Sequence, residues 1–314
     1  MNNINHQLAV QNAVKDRFKG KKRIVSKTAP LYPSSAEREM VRIAAAYMRE
    51  YNSELKKYLP ELMKAYRENE VIRKDSTDFR TDDTREFNKK LEEVMRRINE
   101  SMTGRLSKFR LQTRVKKAAE LLKSTSTREW KRVVRDTLGI NLLDDYYKGE
   151  FYEQAIASWV TDNVSKIKSI PEQSLSEIHS IVNDGYLQGR TAKDIAKDIQ
   201  AEYDLSKGMA QMMARDQIGT LNAQITQQQQ RDAGCTCYEW SDSGDGRVRD
   251  CHKALHGKII DWNNPPEMWY MTKSRGKVMT GRKCHPGEDY QCRCCALPVF
   301  NFETVDVPFS SDKG

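Results

Sequence analysis

Through the first two-thirds of the chain, apolar residues recur at three- and four-residue steps. That is the period of helices with one buried side. The first stripe is Met40, Ile43, Ala44, Tyr47, Tyr51, Leu55, Leu59, Leu62 and Tyr66, and Ser34 with Glu37 forms a capping box ahead of it. Pro60 lies inside that stripe, where a proline bends or splits a helix. A second stripe runs Phe87, Leu91, Met95, Ile98, Met102, Leu106 and Phe109 and resumes at Leu121 and Leu122, with Gly104 as its weak point. Residues 73–84, between the two, are charged and aperiodic and read as a loop. A further helical stretch, "YEQAIASWVTDNVSKIKSI", is expected to stop at Pro171. The aromatic and methionine positions on these stripes read as core packing.

From about residue 170 the pattern shortens to three helices in succession. Gly185 and Gly189 end the first, Thr191 with Asp194 caps the second, and Ser206 caps the third, which ends at Gly234 after four glutamines. Beyond Gly234 the texture becomes strand and loop. "CYEW", "KIIDW" and "CCALPVF" are strand candidates around a "SDSGDG" turn, and Pro298 suits an edge or a strand end. The fold expected is therefore α+β: a mainly helical N-terminal two-thirds and a small strand-and-loop C-terminal domain that a zinc ion could stabilise. The divisions are a flexible basic arm (1–33), a helical domain (34–168), a helical segment (169–234), a small Cys/His-rich segment (235–302) and a mobile tail (303–314).

Charge adds a second theme. The net charge is +9, yet residues 1–150 hold 34 Lys and Arg against 22 Asp and Glu, while the remainder holds 19 against 22. Thirteen basic and three acidic residues lie between Arg96 and Arg135. On a helix, Arg96, Arg97, Arg105, Lys108, Arg110, Arg114, Lys116 and Lys117 would form a polycation suited to DNA or an acidic protein, or simply a solvated face. No apolar run approaches the roughly 20 residues of a membrane span, and the first residues lack the apolar segment of a signal peptide. Synthesis and use in the cytoplasm are expected, with no membrane partner.

All seven cysteines fall between Cys235 and Cys295, with three of the five histidines among them. In a reducing compartment such a cluster points to metal ligands or buried thiols rather than to disulfides. Cys292 and Cys294 alternate as in a strand and face one side. Zinc takes four N or S ligands, so the preferred set is His252, His285, Cys292 and Cys294. A rival set replaces the histidines with Cys235 and Cys237, and His256 is a further candidate or a spectator. About 80 residues with few aliphatic side chains bury little surface, and a structural metal would compensate. Asp245 with Arg247 and Arg249 reads as readily as a loop pin as a functional group, and Trp240 reads as the core of the small domain.

Three blocks in order, "MARDQIGTLNAQ", "YEWSDSGDGRVRDCHKALHGK" and "HPGEDYQCRCCALP", closely resemble the phage Mu F-like head morphogenesis family of minor capsid proteins. The matching residues are Arg215, Trp240, Asp245, Arg247, Arg249, His252, Gly257 and a Pro-Gly followed by Cys-Arg-Cys, over roughly residues 170–300. Cys235, Cys237, Cys251, Cys284 and Cys295 look like additions to that pattern. The resemblance implies a phage minor head protein inside the virion's capsid, met in the host cytoplasm during assembly. Its partners would be the portal protein, scaffold or major capsid protein, and packaged phage DNA. It implies no catalytic residues. The alternative is a zinc-dependent nuclease, in which a histidine-held metal activates water. Against that, no His-Glu-x-x-His, phosphate loop or paired-carboxylate motif appears.

Overall fold

A computed structural model describes residues 2–75, 81–143 and 150–308. Among these, helices α1 (Asn2–Arg17), α2 (Ser34–Asp75), α3 (Thr81–Ser107), α4 (Leu111–Leu138), α5 (Glu150–Gln188), α6 (Ala192–Asp232) and α7 (Asp250–Leu255) carry most of the chain. The strands are β1 (Arg23–Val25), β2 (Cys237–Ser241), β3 (Ile259–Asp261), β4 (Glu267–Thr272), β5 (Gly276–Lys283) and β6 (Cys295–Asn301). The α+β expectation holds. The chain forms two compact units: a central one from Arg38–Lys117 and Val160–Ala214, and a terminal one from Met1–Glu37, Ala118–Trp159 and Arg215–Gly314.

The central unit is helical. Its core is the expected stripe of α2, with Met40, Ile43, Tyr47, Tyr51, Leu55, Leu62 and Tyr66 buried, joined by Phe87, Leu91, Ile98 and Met102 of α3. Phe87 stacks on Tyr186 at 3.9 Å, and the Tyr66 hydroxyl donates to the Arg190 carbonyl at 2.8 Å. Two prolines fail to break their helices. Pro60 sits at an exposed position inside α2. Pro171, expected to stop α5, lies within it, because the buried stripe of Ile167 and Ile170 continues past it to Leu175, Ile178 and Val182. Burial of that whole stripe outweighs the roughly 3 kcal/mol a mid-helix proline costs. Likewise Ser206 starts no helix. It is buried mid-way along α6, its hydroxyl donating to Glu202 at 2.7 Å. Thr191 does cap α6, its Oγ1 accepting the Asp194 N–H at 3.2 Å. The expected loop at 73–84 is helical up to Asp75 and again from Thr81; residues 76–80 lie outside the described residues.

In the terminal unit an antiparallel sheet has the order β1-β6-β2-β3, and β4 and β5 form a separate hairpin that the sequence pattern did not suggest. The first 33 residues are therefore no loose arm. Val10 and Val14 of α1 are buried, Phe18 stacks on Phe302 at 5.6 Å, and Arg23 pairs with Asn301. β6 is central rather than an edge, although it contains Pro298. A strand residue points its N–H and C=O toward the same neighbour, and the Pro298 carbonyl accepts from Ser26 N–H at 3.0 Å, just beyond the end of β1. The missing donor thus falls where no ladder bond is needed. Residues 303–308 are not a loose tail either: Val305 and Val307 are fully buried, and 309–314 lie outside the described residues.

The hinge between α6 and the sheet is a Schellman turn. Gly234 (φ +76°) donates to the Arg231 carbonyl and Cys235 N–H to the Gln230 carbonyl, both at 2.9 Å. The four-glutamine run before it is no low-complexity tract. Gln229 and Gln230 are buried, and Gln230 Nε2 donates to the Ala296 carbonyl at 2.8 Å, tying α6 to β6.

Candidate metal centre

On β2 the alternation of exposed and buried positions points Tyr238 and Trp240 inward, both with no exposed surface. Around them pack Cys251, Trp262, Met268, Cys292, Cys294 and Ala296. After β2 the chain turns through two Asx-type contacts, Gly244 N–H to Asp242 and Arg247 N–H to Asp245, each at 2.9 Å. The turn delivers the short helix α7, and with it His252, against the indole of Trp240 at 5.4 Å.

The second arm of the site is the loop from Cys284 to Cys294. Gly287 adopts φ +89°, and a Cβ there would stand 3.0 Å from the Ala223 side chain on α6. Gly219, one helical turn earlier, faces the carbonyls of Gly287 and Cys292. Gly287 therefore lets the Pro-Gly turn lie against α6 and has a steric reason to be glycine, whereas a Cβ at Gly219 would meet those carbonyls at ordinary contact distances of 3.6 and 3.7 Å. Asp216 accepts the Gln291 N–H at 2.8 Å and fixes the far side of the same loop.

These two arms bring His252, Cys292 and Cys294 together, with donor atoms all within 4.8 Å of one another and all three side chains buried. The Nδ1 of His252 is 3.6 Å from the Cys292 sulfur and 3.5 Å from that of Cys294. Gly287 N–H points at the Cys292 sulfur at 3.3 Å. Behind the imidazole, Nε2 lies 3.3 Å from Asp289, a carboxylate 1% exposed that is also paired with Arg249 at 3.5 Å and with Arg282. Burial disfavours charge on Asp289, but His252 and Arg249 outweigh it and hold its pKa at about 2. Burial likewise opposes protonation of His252, and there Asp289 and the Cys292 sulfur prevail, raising it to about 9. The Cys294 thiol and the His252 ring lower Cys292, while the Cys292 sulfur and burial raise Cys294.

Of the four expected ligands, three converge and one does not. His285 is turned away into a slot between Tyr238, whose hydroxyl is 2.9 Å from Nδ1, and Trp262, whose ring centroid is 4.8 Å distant. Cys292 and Cys294 do face one side, with Arg293 exposed between them, although β6 begins only at Cys295. The rival pair stands elsewhere: Cys235 is buried beside the Schellman turn, and Cys237 belongs to β2. His256 is a spectator, more than half exposed, and accepts the Asp242 N–H at 3.2 Å. Asp245 and Arg247 pin their own loop at 3.0 Å, and Arg249 holds the Tyr290 carbonyl. Asp289 carries no signal in the sequence. A lone acidic residue in a loop reads as solvated, and only the fold reveals that it is buried behind a histidine.

The basic stretch lies on α3 and α4. Within the central unit, Arg96 pairs with Glu100 at 2.8 Å, Arg97 with Glu61, and Arg105 with Glu50 at 2.6 Å and Glu54 at 3.2 Å. Arg114 lies over the Phe109 ring at 4.4 Å. Lys108, Arg110, Lys116 and Lys117 are exposed around the α3–α4 turn.

Residues 176–297 match the family described as "Phage Mu protein F like protein". They include the His252, Cys292 and Cys294 cluster and Gly287, which seats its loop. A protein of Haemophilus influenzae (strain Rd KW20), itself described only as "Uncharacterized protein", is 30% identical over 168 residues, 54% of this chain and 34% of the relative. The chain thus matches about a third of that relative's length. No solved structure matches. Residues 176–297 thus resemble phage Mu F-like proteins, over the stretch that the three sequence blocks mark out.

Proposed function

We propose that the chain is a phage minor head protein that acts in head morphogenesis, bound to the portal protein inside the procapsid. The observation that carries this reading is the match of residues 176–297 to the Mu F-like family, with the motif residues Trp240, His252, Cys292 and Cys294 buried together. Scaffold or major capsid protein are the other head components it would meet, and its place is the capsid interior after assembly in the host cytoplasm. None of the described helices is long and apolar enough to cross a membrane, in keeping with partners that are head components. Affinity pull-down from infected cells tests the reading directly. Portal protein should be recovered and the chain should sediment with heads; recovery of neither would overturn it.

Contact with packaged DNA is a finer part of the same proposal. Arg96, Arg97 and Arg105 already face glutamates, so the basic side chains best placed for phosphates are Lys108, Arg110, Arg114 and Lys117 near the α3–α4 turn. Affinity for duplex DNA should fall with salt at a log–log slope of about −0.9 per phosphate contacted. Charge reversal at Lys108 and Arg110 should flatten that slope by one to two contacts. A slope near zero in the unaltered chain would remove DNA from the proposal.

A further inference from the structure

The geometry points to a zinc centre in the Mu F-like module built on three protein ligands, His252 Nδ1, Cys292 Sγ and Cys294 Sγ, whose fourth position is open to a cleft and takes an exchangeable oxygen ligand, water or a small oxyanion. This goes beyond a role in head assembly and does not depend on it.

The separations carry the first part. Zinc bonds of about 2.3 Å to sulfur and 2.0–2.1 Å to nitrogen, at the tetrahedral angle, put N and S about 3.6 Å apart. The two N–S separations in the structure are 3.5 and 3.6 Å. Thiol hydrogen bonds give similar lengths, but a ring nitrogen carries either one lone pair or one N–H, so it makes one full hydrogen bond and not one to each sulfur. One cation satisfies both sulfurs and the nitrogen together. The surroundings agree. A metal-bound histidine commonly turns its second nitrogen to a carboxylate, and Asp289 stands there at 3.3 Å. Gly287 N–H is aimed at the Cys292 sulfur, where a thiolate would gain from it.

The coordination number carries the second part. Among the described residues, no fourth His, Cys, Asp or Glu joins the group. All three donors line one cleft of about 220 Å³, whose other walls include Arg247, Arg249 and Arg293. Structural zinc sites are closed by four protein ligands, whereas sites with three keep one place for water or another ligand. Two thiolates neutralise the ion, so an anion at the fourth place needs help from outside the first three ligands. Three arginines that line the cleft supply it. Arg247 and Arg249 are shared with Asp245 and Asp289, and Arg293 sits between the two ligand cysteines.

The full chain purified from zinc-supplemented medium should contain about one zinc per molecule by elemental analysis. Cys292→Ser and Cys294→Ser should each lower the content at least tenfold, whereas His285→Gln and Cys235→Ser should leave it unchanged. Since a ligand variant could misfold, the decisive measurement uses the unaltered protein with cobalt in place of zinc. Its visible and thiolate charge-transfer bands should shift on adding azide or phosphate, and Arg293→Ala should weaken the shift. A cobalt spectrum indifferent to both anions would mean a fourth protein ligand and would overturn the open position. A chain that takes up no metal, with Cys292 alkylated rapidly at mildly acidic pH, would overturn the centre altogether in favour of a thiolate–imidazolium pair. Loss of zinc in a folded His285→Gln variant would overturn the ligand assignment.

Discussion

Gly234 offers a prediction that can be worked from geometry. Its φ of +76° is the left-handed region, where an L-residue costs about 1–2 kcal/mol. Alanine recovers about 0.4–1 kcal/mol by restricting the unfolded chain, so conformation alone should cost about 0.5–1 kcal/mol. Gly257, with φ +74° and nothing within 4 Å of the place a methyl group would take, isolates that term. At Gly234 a Cβ would stand 2.0 Å from the Thr304 carbonyl oxygen and 2.8 Å from its carbon. Both are backbone atoms, and the segment is held by the Thr304 hydroxyl on the Gly234 carbonyl and by Asp306 N–H on Ala233. Moving it should add about 1–3 kcal/mol, the range for overpacking a well-filled site. Gly234→Ala should therefore destabilise by about 2–4 kcal/mol, and Gly257→Ala by about 1 or less. All five tryptophans lie in the terminal unit, so tryptophan fluorescence during urea unfolding reports on that unit alone. If Gly234→Ala proves no worse than Gly257→Ala, the packing of residues 304–306 against the end of α6 is not what fixes this turn.

Three further expectations concern the site and the central unit. Asp289→Asn should keep the fold by circular dichroism yet weaken zinc binding about 10–100-fold in a chelator competition, the usual effect of removing a carboxylate behind a histidine ligand. Trp240→Ala, at a fully buried position beside His252, should cost about 3–5 kcal/mol in denaturant unfolding; a loss under 1 kcal/mol would contradict its place in the core. Glu54 is 2% exposed, and although burial opposes its charge, hydrogen bonds from Lys57 and Ser101 win and lower its pKa. A lowered carboxylate stabilises the fold fully above the unfolded value of about 4.3 and loses that contribution as pH falls through the lower folded value. Acid unfolding of the central unit, followed by hydrogen exchange of α2 and α3, should thus be less steep in Glu54→Gln.

Some of the fold and site is readable in the sequence because it is local. Gly234 needs a left-handed turn, Thr191 and Asp194 cap each other across three residues, and Cys292 with Cys294 face one side because they lie two positions apart. What is not readable depends on distant partners. Pro171 and Ser206 are ordinary stop and start signals, overridden because the apolar stripes on either side are buried along one continuous helix. β1 is three residues long and has meaning only beside β6. The hairpin of β4 and β5 has polar and apolar residues mixed on both faces, with Tyr270, Met271 and Met279 exposed, so its period is hidden. His285 and His252 are equally plausible ligands in a string of letters. The turn at Pro286 and Gly287, seated on α6, sends one to the tyrosine and leaves the other with the sulfurs.

The pairing of Arg23 with Asn301 has a bearing on synthesis. A ribosome adding 5–20 residues per second makes the early strand roughly 15–60 s before its partner exists. For most of that interval β1 stands without any sheet partner, and only over its last 40 residues or so are β2 and β3 also present, with one flank bare. An exposed flank of that kind invites pairing with other chains. The longest-lived incomplete species should therefore be one that still lacks β6, and a holding chaperone would be most useful to this protein at that stage.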